Sequence, residues 1–202
     1  MSSVLLATRS EGKLRELRAL FASHGIAVAD LRDVGLEETA MEDDLEHFET
    51  FEENALAKAR YFASLSGRAV VADDSGLEVR ALGGAPGVRS KRWSGRRDLT
   101  GEALDAENNA LLRRSLGAAT DRAARYVCAA AFVDGGREIV RRGDVTGRIV
   151  DPPRGVGGFG YDPYFESDEL ARTFGEATVA EKERVSHRAR AFRALLDELR
   201  RG

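Results

Sequence analysis

The sequence predicts an α/β domain built on a mixed sheet. Three observations carry this: short apolar runs alternate with segments of helical period, a late segment reads as a hairpin and so adds antiparallel pairing, and the composition is that of an ordinary folded domain. Hydrophobic residues make up 43% of the 202 and charged residues 32%, away from the profile of disordered chains. A domain of this length buries roughly 70% of its unfolded surface and needs neither disulfide nor structural metal. Against 34 Asp and Glu stand 31 Lys and Arg, a net charge of −3 that argues against a nucleic-acid partner. The one cysteine, Cys128, lies in the apolar run Tyr126 to Val133 and reads as core. No apolar stretch reaches the ~18 to 20 residues that span a bilayer. The start, Met1-Ser2-Ser3-Val4, lacks the basic and apolar regions of a secretion signal, so a cytoplasmic protein with no membrane partner is expected.

The first element is a strand, Val4 to Ala7, which gives way at Ser10 to a helix with Leu14, Leu17, Leu20 and Phe21 on one face. Ser10 is its N-cap and Gly25 its stop. Acidic residues accumulate from Glu37 to Glu53. Within them Thr50-Phe51-Glu52-Glu53 has the form of a capping box, opening a helix with Phe51, Ala55, Ala59, Phe62 and Ala63 inward and Gly67 at its end. Ala69 to Ala72 is a buried strand running into a turn, Asp73-Asp74-Ser75-Gly76. Residues 83–101 read as loop and Glu102 to Leu116 as helix. Tyr126 to Val133, the turn Asp134-Gly135-Gly136 and Glu138 to Arg142 form a hairpin, extended by Val145 to Val150. A glycine-dense loop from Gly155 to Pro163 precedes a brief strand at Tyr164-Phe165, and a last helix carries the stripe Ala189, Phe192, Leu195, Leu196 and Leu199. With no internal repeat or linker, residues 1–202 are expected to form one domain.

Four constellations have chemical potential. Thr8-Arg9-Ser10-Glu11-Gly12-Lys13 joins a strand to a helix, where free backbone N–H groups, the helix dipole and the donors of Thr8, Ser10 and Lys13 suit a phosphate. The same residues also fit a plain Ser cap beside a solvated Lys. Adjacent carboxylates at Asp73-Asp74 repel unless a cation such as Mg²⁺ or a set of donors compensates them, although an Asp cap followed by an exposed Asp in a Gly76 turn accounts for them as well. Glu46, Glu49 or Glu53 can add a ligand, while Glu53 also closes the capping box. Gly155 to Gly160 lets the backbone approach a flat ligand on which Phe159 stacks. Lys182 with Ser186-His187-Arg188 offers a fan of donors, or a helix cap with a structural His.

Together these residues resemble the inosine and xanthosine triphosphate pyrophosphatases, which hydrolyse deaminated purine nucleoside triphosphates. The resemblance runs from Val4 to Arg188. It rests on Ala7-Thr8 through Lys13, Thr50 through Ala55 with Lys58, Ala72 through Leu77, Gly83-Gly84-Ala85-Pro86-Gly87, Gly157 through Pro163, and Glu181-Lys182 followed by Ser186-His187-Arg188. Ser10 stands where that family usually has Asn, and His47-Phe48 follow Glu46 in place of its usual Thr-Gly. The resemblance implies an elongated mixed sheet with helices in two lobes flanking an active-site groove, in a homodimer. It implies that water attacks the α-phosphorus of ITP, dITP or XTP, with Asp74 as the catalytic residue and Mg²⁺ on Glu46, Asp74 and Asp73. By the same carry-over Thr8, Arg9, Ser10, Glu11, Gly12, Lys13 and Lys58 hold the triphosphate, Phe159 stacks on the base, and Asp162, Lys182, His187 and Arg188 read its polar edge. Ser75, Gly160 and Tyr161 belong to the same substrate-binding set. The rival readings are a pyrophosphatase for pyrimidine or other modified nucleotides and a nucleotide sensor without catalysis.

Overall fold

The short run Val4–Leu6 forms β1, with Leu5 and Leu6 fully buried. The computed structural model to which it belongs describes residues 3–201, except the side chains of Asp43 and Asp44. The reading of Met1-Ser2 and the outermost ends of the expected 1–202 domain therefore lie outside the described residues. On one side β1 pairs in parallel with β2 (Val28–Asp30), and on the other with β3 (Val70–Val79), where Leu5 faces Val70. Between β1 and β2 runs α1 (Glu11–Ser23), whose first turn is capped by Ser10: its Oγ accepts from the backbone N–H of Lys13. The helix α2 (Phe51–Ser66) starts as the capping box demands, with Thr50 accepting from the Glu53 N–H, and ends at Gly67 in the left-handed region.

Downstream come α3 (Gly101–Leu116), then the long hairpin of β4 (Ala123–Asp134) and β5 (Arg137–Ile149), turned at Gly135-Gly136. β6 (Phe165–Ser167) pairs antiparallel with β5, and β7 (Arg172–Thr173) antiparallel with β6. The strand order is β2-β1-β3-β4-β5-β6-β7, the mixed α/β sheet that the sequence predicts. Two helices close the described chain, α4 (Val179–Val185) and α5 (His187–Arg201).

The chain divides into two compact units. The first comprises residues up to Asp74, Cys128–Gly143 and the chain from His187. Its core is made by Leu14, Leu17 and Phe21 of α1, Val71 and Cys128 of the sheet, and Phe192 and Leu195 of α5. The second comprises Ser75–Val127 and Asp144–Ser186, with a core of Leu77, Leu112, Tyr126, Val145, Phe165 and Phe174. Its aromatic rings meet at 4.8 Å (Tyr126–Phe165) and 5.2 Å (Phe165–Phe174).

Several elements depart from the expectation. There is no turn at Asp73-Asp74-Ser75-Gly76: β3 continues through all four residues to Val79, because Lys13 and Arg188 meet the Asp73 carboxylate, and the Asn54 amide the Asp74 carboxylate, where they stand. β2, β7, α4 and the helical turn Ala40–Glu46 were not foreseen, since segments of two to seven residues carry too little periodicity. A short helical turn, Gly87–Arg92, breaks the expected loop 83–101.

β5 is one strand, joining two runs that the sequence separates at Gly143. That glycine lets α5 lie directly on the strand: a Cβ there would stand 2.5 Å from both Ala191 N and His187 O. Gly143→Ala is therefore expected to push α5 away and to cost about 1–3 kcal/mol, read as a lowered Tm in thermal melts. An unchanged Tm would mean that α5 is free to move.

Candidate active site

The first unit gathers its charged residues around the acids of β3. Asp73 is buried, and its Oδ2 meets Lys13 Nζ of α1 at 3.0 Å and Arg188 Nε of α5 at 3.2 Å. The thiol of Cys128, buried as expected for core, points at the same oxygen from 3.8 Å. Arg188 also pairs with Glu16 of α1. Burial works to raise the Asp73 pKa, but Lys13, Arg188 and Lys58 outweigh it and hold the carboxyl well below the usual carboxylate range. Its other oxygen, Oδ1, is buried with no hydrogen-bond partner among the described residues.

Asp74 has the opposite environment. Burial first, and then the charge of Glu46, push its pKa up to about 6, against the pull of Lys58, Lys13 and a hydrogen bond from Asn54. Asn54 Nδ2 donates to Asp74 Oδ2 at 2.9 Å. Lys58, one helical turn beyond Asn54 on the buried face of α2, donates to the backbone oxygen of Asp73 at 2.9 Å and pairs with Glu46. Burial lowers its pKa, yet Glu46, Asp74 and Asp73 together hold the ammonium above its ordinary value. The structure thus brings together Lys13, Lys58, Glu46, Asp73, Asp74 and Arg188 from five separate segments. Two neighbours that sequence reasoning missed, Asn54 and Glu16, complete the arrangement. Asn54 lies in the Thr50 to Ala55 motif of the resemblance, four residues before Lys58, while the signal of Glu16 was spacing alone, three residues after Lys13.

In the loop ahead of α1, Thr8 Oγ1 accepts from the Ser10 N–H at 3.2 Å. Arg9 is held by Glu42 through two hydrogen bonds, at 2.7 and 3.0 Å, and by the Leu36 carbonyl. Glu11 pairs with Arg32 on the exposed side of α1, and Gly12 lies in its first turn. The Glu53 carboxylate accepts from the Thr50 hydroxyl at 2.7 Å, while Glu49 is exposed.

The glycine loop belongs to the second unit. Asp162 Oδ2 accepts from the Phe159 N–H at 2.9 Å and from Lys182 Nζ at 2.6 Å, and the same ammonium stands 4.9 Å from the centre of the Phe159 ring. Gly158 has φ of +74°, and any Cβ there would overlap Asp162. That close approach is why the loop needs glycine at this point. Gly160 is held by Asp105, whose Oδ2 accepts its N–H at 2.8 Å, and by Asn109 Nδ2 on its carbonyl at 3.0 Å. Tyr161 is buried and donates to the Ser90 carbonyl, which braces the loop from below. Phe159, Gly160, Asp162 and Lys182 are thus one cluster. Ser75 lies half-buried in β3, and His187 is buried at the start of α5.

Among the described residues no three His, Cys, Asp or Glu side chains converge as a ready-made metal cage, and no helix is long and apolar enough to cross a membrane. Glu46 and Asp74, near enough for the charge of one to raise the pKa of the other, still suit Mg²⁺, which commonly takes one or two carboxylates and completes its shell with water and substrate phosphates. The unfavourable Glu46–Asp74 charge pair is the observation that fits such an ion.

Comparison with known proteins gives consistent matches along the whole chain. A family model described as the Ham1 family matches residues 4–198. A Frankia alni protein named dITP/XTP pyrophosphatase is 49% identical over 200 residues, covering 98% of this chain and 96% of its own. The structure of a HAM1 protein from Coxiella burnetii superposes with a TM-score of 0.84 at 33% identity, covering 100% of both chains. A nucleoside-triphosphatase / dITP/XTP pyrophosphatase from Mycobacterium abscessus gives a TM-score of 0.72 at 43% identity, covering 98% of this chain and 99% of that one.

Proposed function

The chain belongs to the Ham1 family, and from that premise we propose that it hydrolyses deaminated purine nucleoside triphosphates, dITP, XTP and ITP, to the monophosphate and pyrophosphate. The names of its relatives support the substrate class. The observation that carries the chemistry is the unequal treatment of two adjacent carboxylates. Asp73 is held ionised by three cations, while burial and the charge of Glu46 push the pKa of Asp74 up to about 6, which makes it a better proton acceptor than an ordinary carboxylate.

In this reading the water oxygen bonds to the α-phosphorus, the bond from that phosphorus to the bridging oxygen breaks, and pyrophosphate leaves with the electron pair. Asp74 orients the water and takes its proton. Lys13, Lys58, Ser75 and the loop Thr8 to Gly12 hold the triphosphate, with the N–H groups at the start of α1 adding their dipole. Asp73 keeps Lys13 in place, and Arg188 enters through Asp73. Glu46 and Asp74 would hold the Mg²⁺; when bound, the ion would withdraw charge from the phosphoryl oxygens and the water. Phe159 stacks on the base, held with Gly160 and Tyr161 by the braces beneath the loop. The reading also includes a homodimer and a cytoplasmic place, with a free nucleotide as partner; sedimentation tests the first and cell fractionation the second.

A panel of nucleoside triphosphates, assayed for pyrophosphate release with and without Mg²⁺, tests the proposal. Phosphorus NMR is expected to show pyrophosphate and monophosphate as primary products of dITP, since the β and γ groups leave as one unit. Orthophosphate with nucleoside diphosphate would overturn it.

Base choice follows from hydrogen bonding. Hypoxanthine and xanthine carry an oxygen at C6 where adenine carries an amino donor, so the donors Lys182 and His187 favour the former. Each donor left unpaired by adenine costs about 1–3 kcal/mol. Lys182→Met is expected to lower kcat/KM for dITP roughly tenfold to a hundredfold and that for ATP far less. An unchanged dITP to ATP ratio would place base recognition elsewhere.

A further inference from the structure

The Asn54 side chain is fully buried, and three of its four hydrogen-bonding positions, including both donors, are in use. Its Oδ1 accepts from the Phe48 N–H at 2.9 Å. Its Nδ2 donates twice, to the Phe48 carbonyl at 3.3 Å and to Asp74 Oδ2 at 2.9 Å. The orientation of this amide is fixed by its partners, because the reverse would set an oxygen against the Asp74 carboxylate and an N–H against the Phe48 N–H. One planar group thus ties Asp74 to the backbone two residues beyond Glu46. Glu46 ends a short helical turn, Ala40–Glu46, and the Phe48 tie is what fixes the chain between that turn and α2.

We propose that Asn54 is a positioning residue of the hydrolytic site. It fixes Asp74 through the Oδ2 oxygen and ties that side chain to the backbone of the segment that carries Glu46. The amide is the only neutral side chain of this size that both accepts from a backbone N–H and donates to a carboxylate in this arrangement. An Asp would repel Asp74, and Ala would release both ends. This inference rests on the assignment of Asp74 as the water-orienting group.

The test compares wild type, Asn54→Ala and Asn54→Asp. In Asn54→Ala, kcat for dITP is expected to fall on the order of a hundredfold with KM changed less than threefold. Mn²⁺ affinity without nucleotide, measured by electron paramagnetic resonance, is expected to fall about tenfold. Hydrogen exchange at the Phe48 amide should accelerate. If Asn54→Ala does not fold, Asn54→Asp decides: it keeps the acceptor for the Phe48 N–H, so Phe48 stays protected, while kcat still falls because no donor meets Asp74. A double variant with Asp74→Asn should be no slower than Asp74→Asn alone. Full kcat in a folded Asn54 variant, a loss confined to Tm, or additive losses in the double variant would overturn the inference. Failure of wild type itself to release pyrophosphate from dITP would instead overturn the functional assignment beneath it.

Discussion

Asp74→Asn is expected to lower kcat for dITP by on the order of a thousandfold while making the metal-free protein more stable at neutral pH. The amide keeps the size of the side chain and the acceptor for Asn54, and loses the charge and the basic oxygen. The stability change has the unusual sign because burial, and then Glu46, raise the pKa of Asp74 from 3.8 to about 6. A carboxyl raised in this way favours the fold while protonated, and that contribution is lost as pH rises through about 6. At pH 7.5 the ionised group therefore opposes folding by on the order of 2 kcal/mol, which Asn removes. Thermal melts of the metal-free proteins should show a Tm higher by about 4–8 °C in the variant at pH 7.5, with the gap closing toward pH 4. Near-wild-type turnover at saturating Mg²⁺ would sink the assignment of Asp74, and an equal or lower Tm would refute the electrostatic account.

The neighbouring substitution is expected to act in the opposite direction. Asp73→Asn leaves Lys13 and the buried Arg188 facing each other across a neutral amide, and breaking one partner out of such a group costs about 3–5 kcal/mol. Burial opposes ionisation of Asp73, but Lys13, Arg188 and Lys58 depress its pKa below 3.8. Its contribution is therefore complete above pH 3.8 and is lost only as pH falls below that value toward the depressed one. Melts at pH 7, 5 and 3 should show a Tm deficit of roughly 10 °C at the first two, shrinking at the third. Turnover well below the Tm should fall less than in Asp74→Asn. A deficit that vanishes already at pH 5 would contradict the pairing.

The two helices that frame this site were legible because their signals are local. Ser10 and Thr50 announce α1 and α2 within three residues, and the stripes Leu14-Leu17-Phe21 and Phe51-Ala55-Phe62 give their inner faces. The course of β3 was not. Two adjacent acids look like the end of a strand until Lys58, 15 residues away, and Arg188, 115 residues away, are brought to Asp73. Asp73, Asp74, Lys13 and Lys58 stood out by residue type and by the family resemblance. Asn54 lay within the Thr50 to Ala55 motif of the resemblance, but neither it nor Glu16 had a task there, since an amide or a carboxylate on a helix has no visible role until its partners are known. The glycine loop was readable as a place of close backbone approach, but its reason, the Asp162 carboxylate under Gly158, lies in the tertiary structure.

The span between Asp73 and Arg188 also sets a timetable for the nascent chain. The strand bearing both acids is made 115 residues ahead of the guanidinium that neutralises one of them. At about 5–20 residues per second the interval is on the order of ten seconds. Throughout it the emerging first unit carries an acidic strand that is only partly compensated and a sheet face that α5 has yet to cover. The ion pair that completes the acid cluster cannot form until α5 has been made, so a ribosome-bound fragment that stops short of it holds the two adjacent acids of β3 without the cation that neutralises one of them.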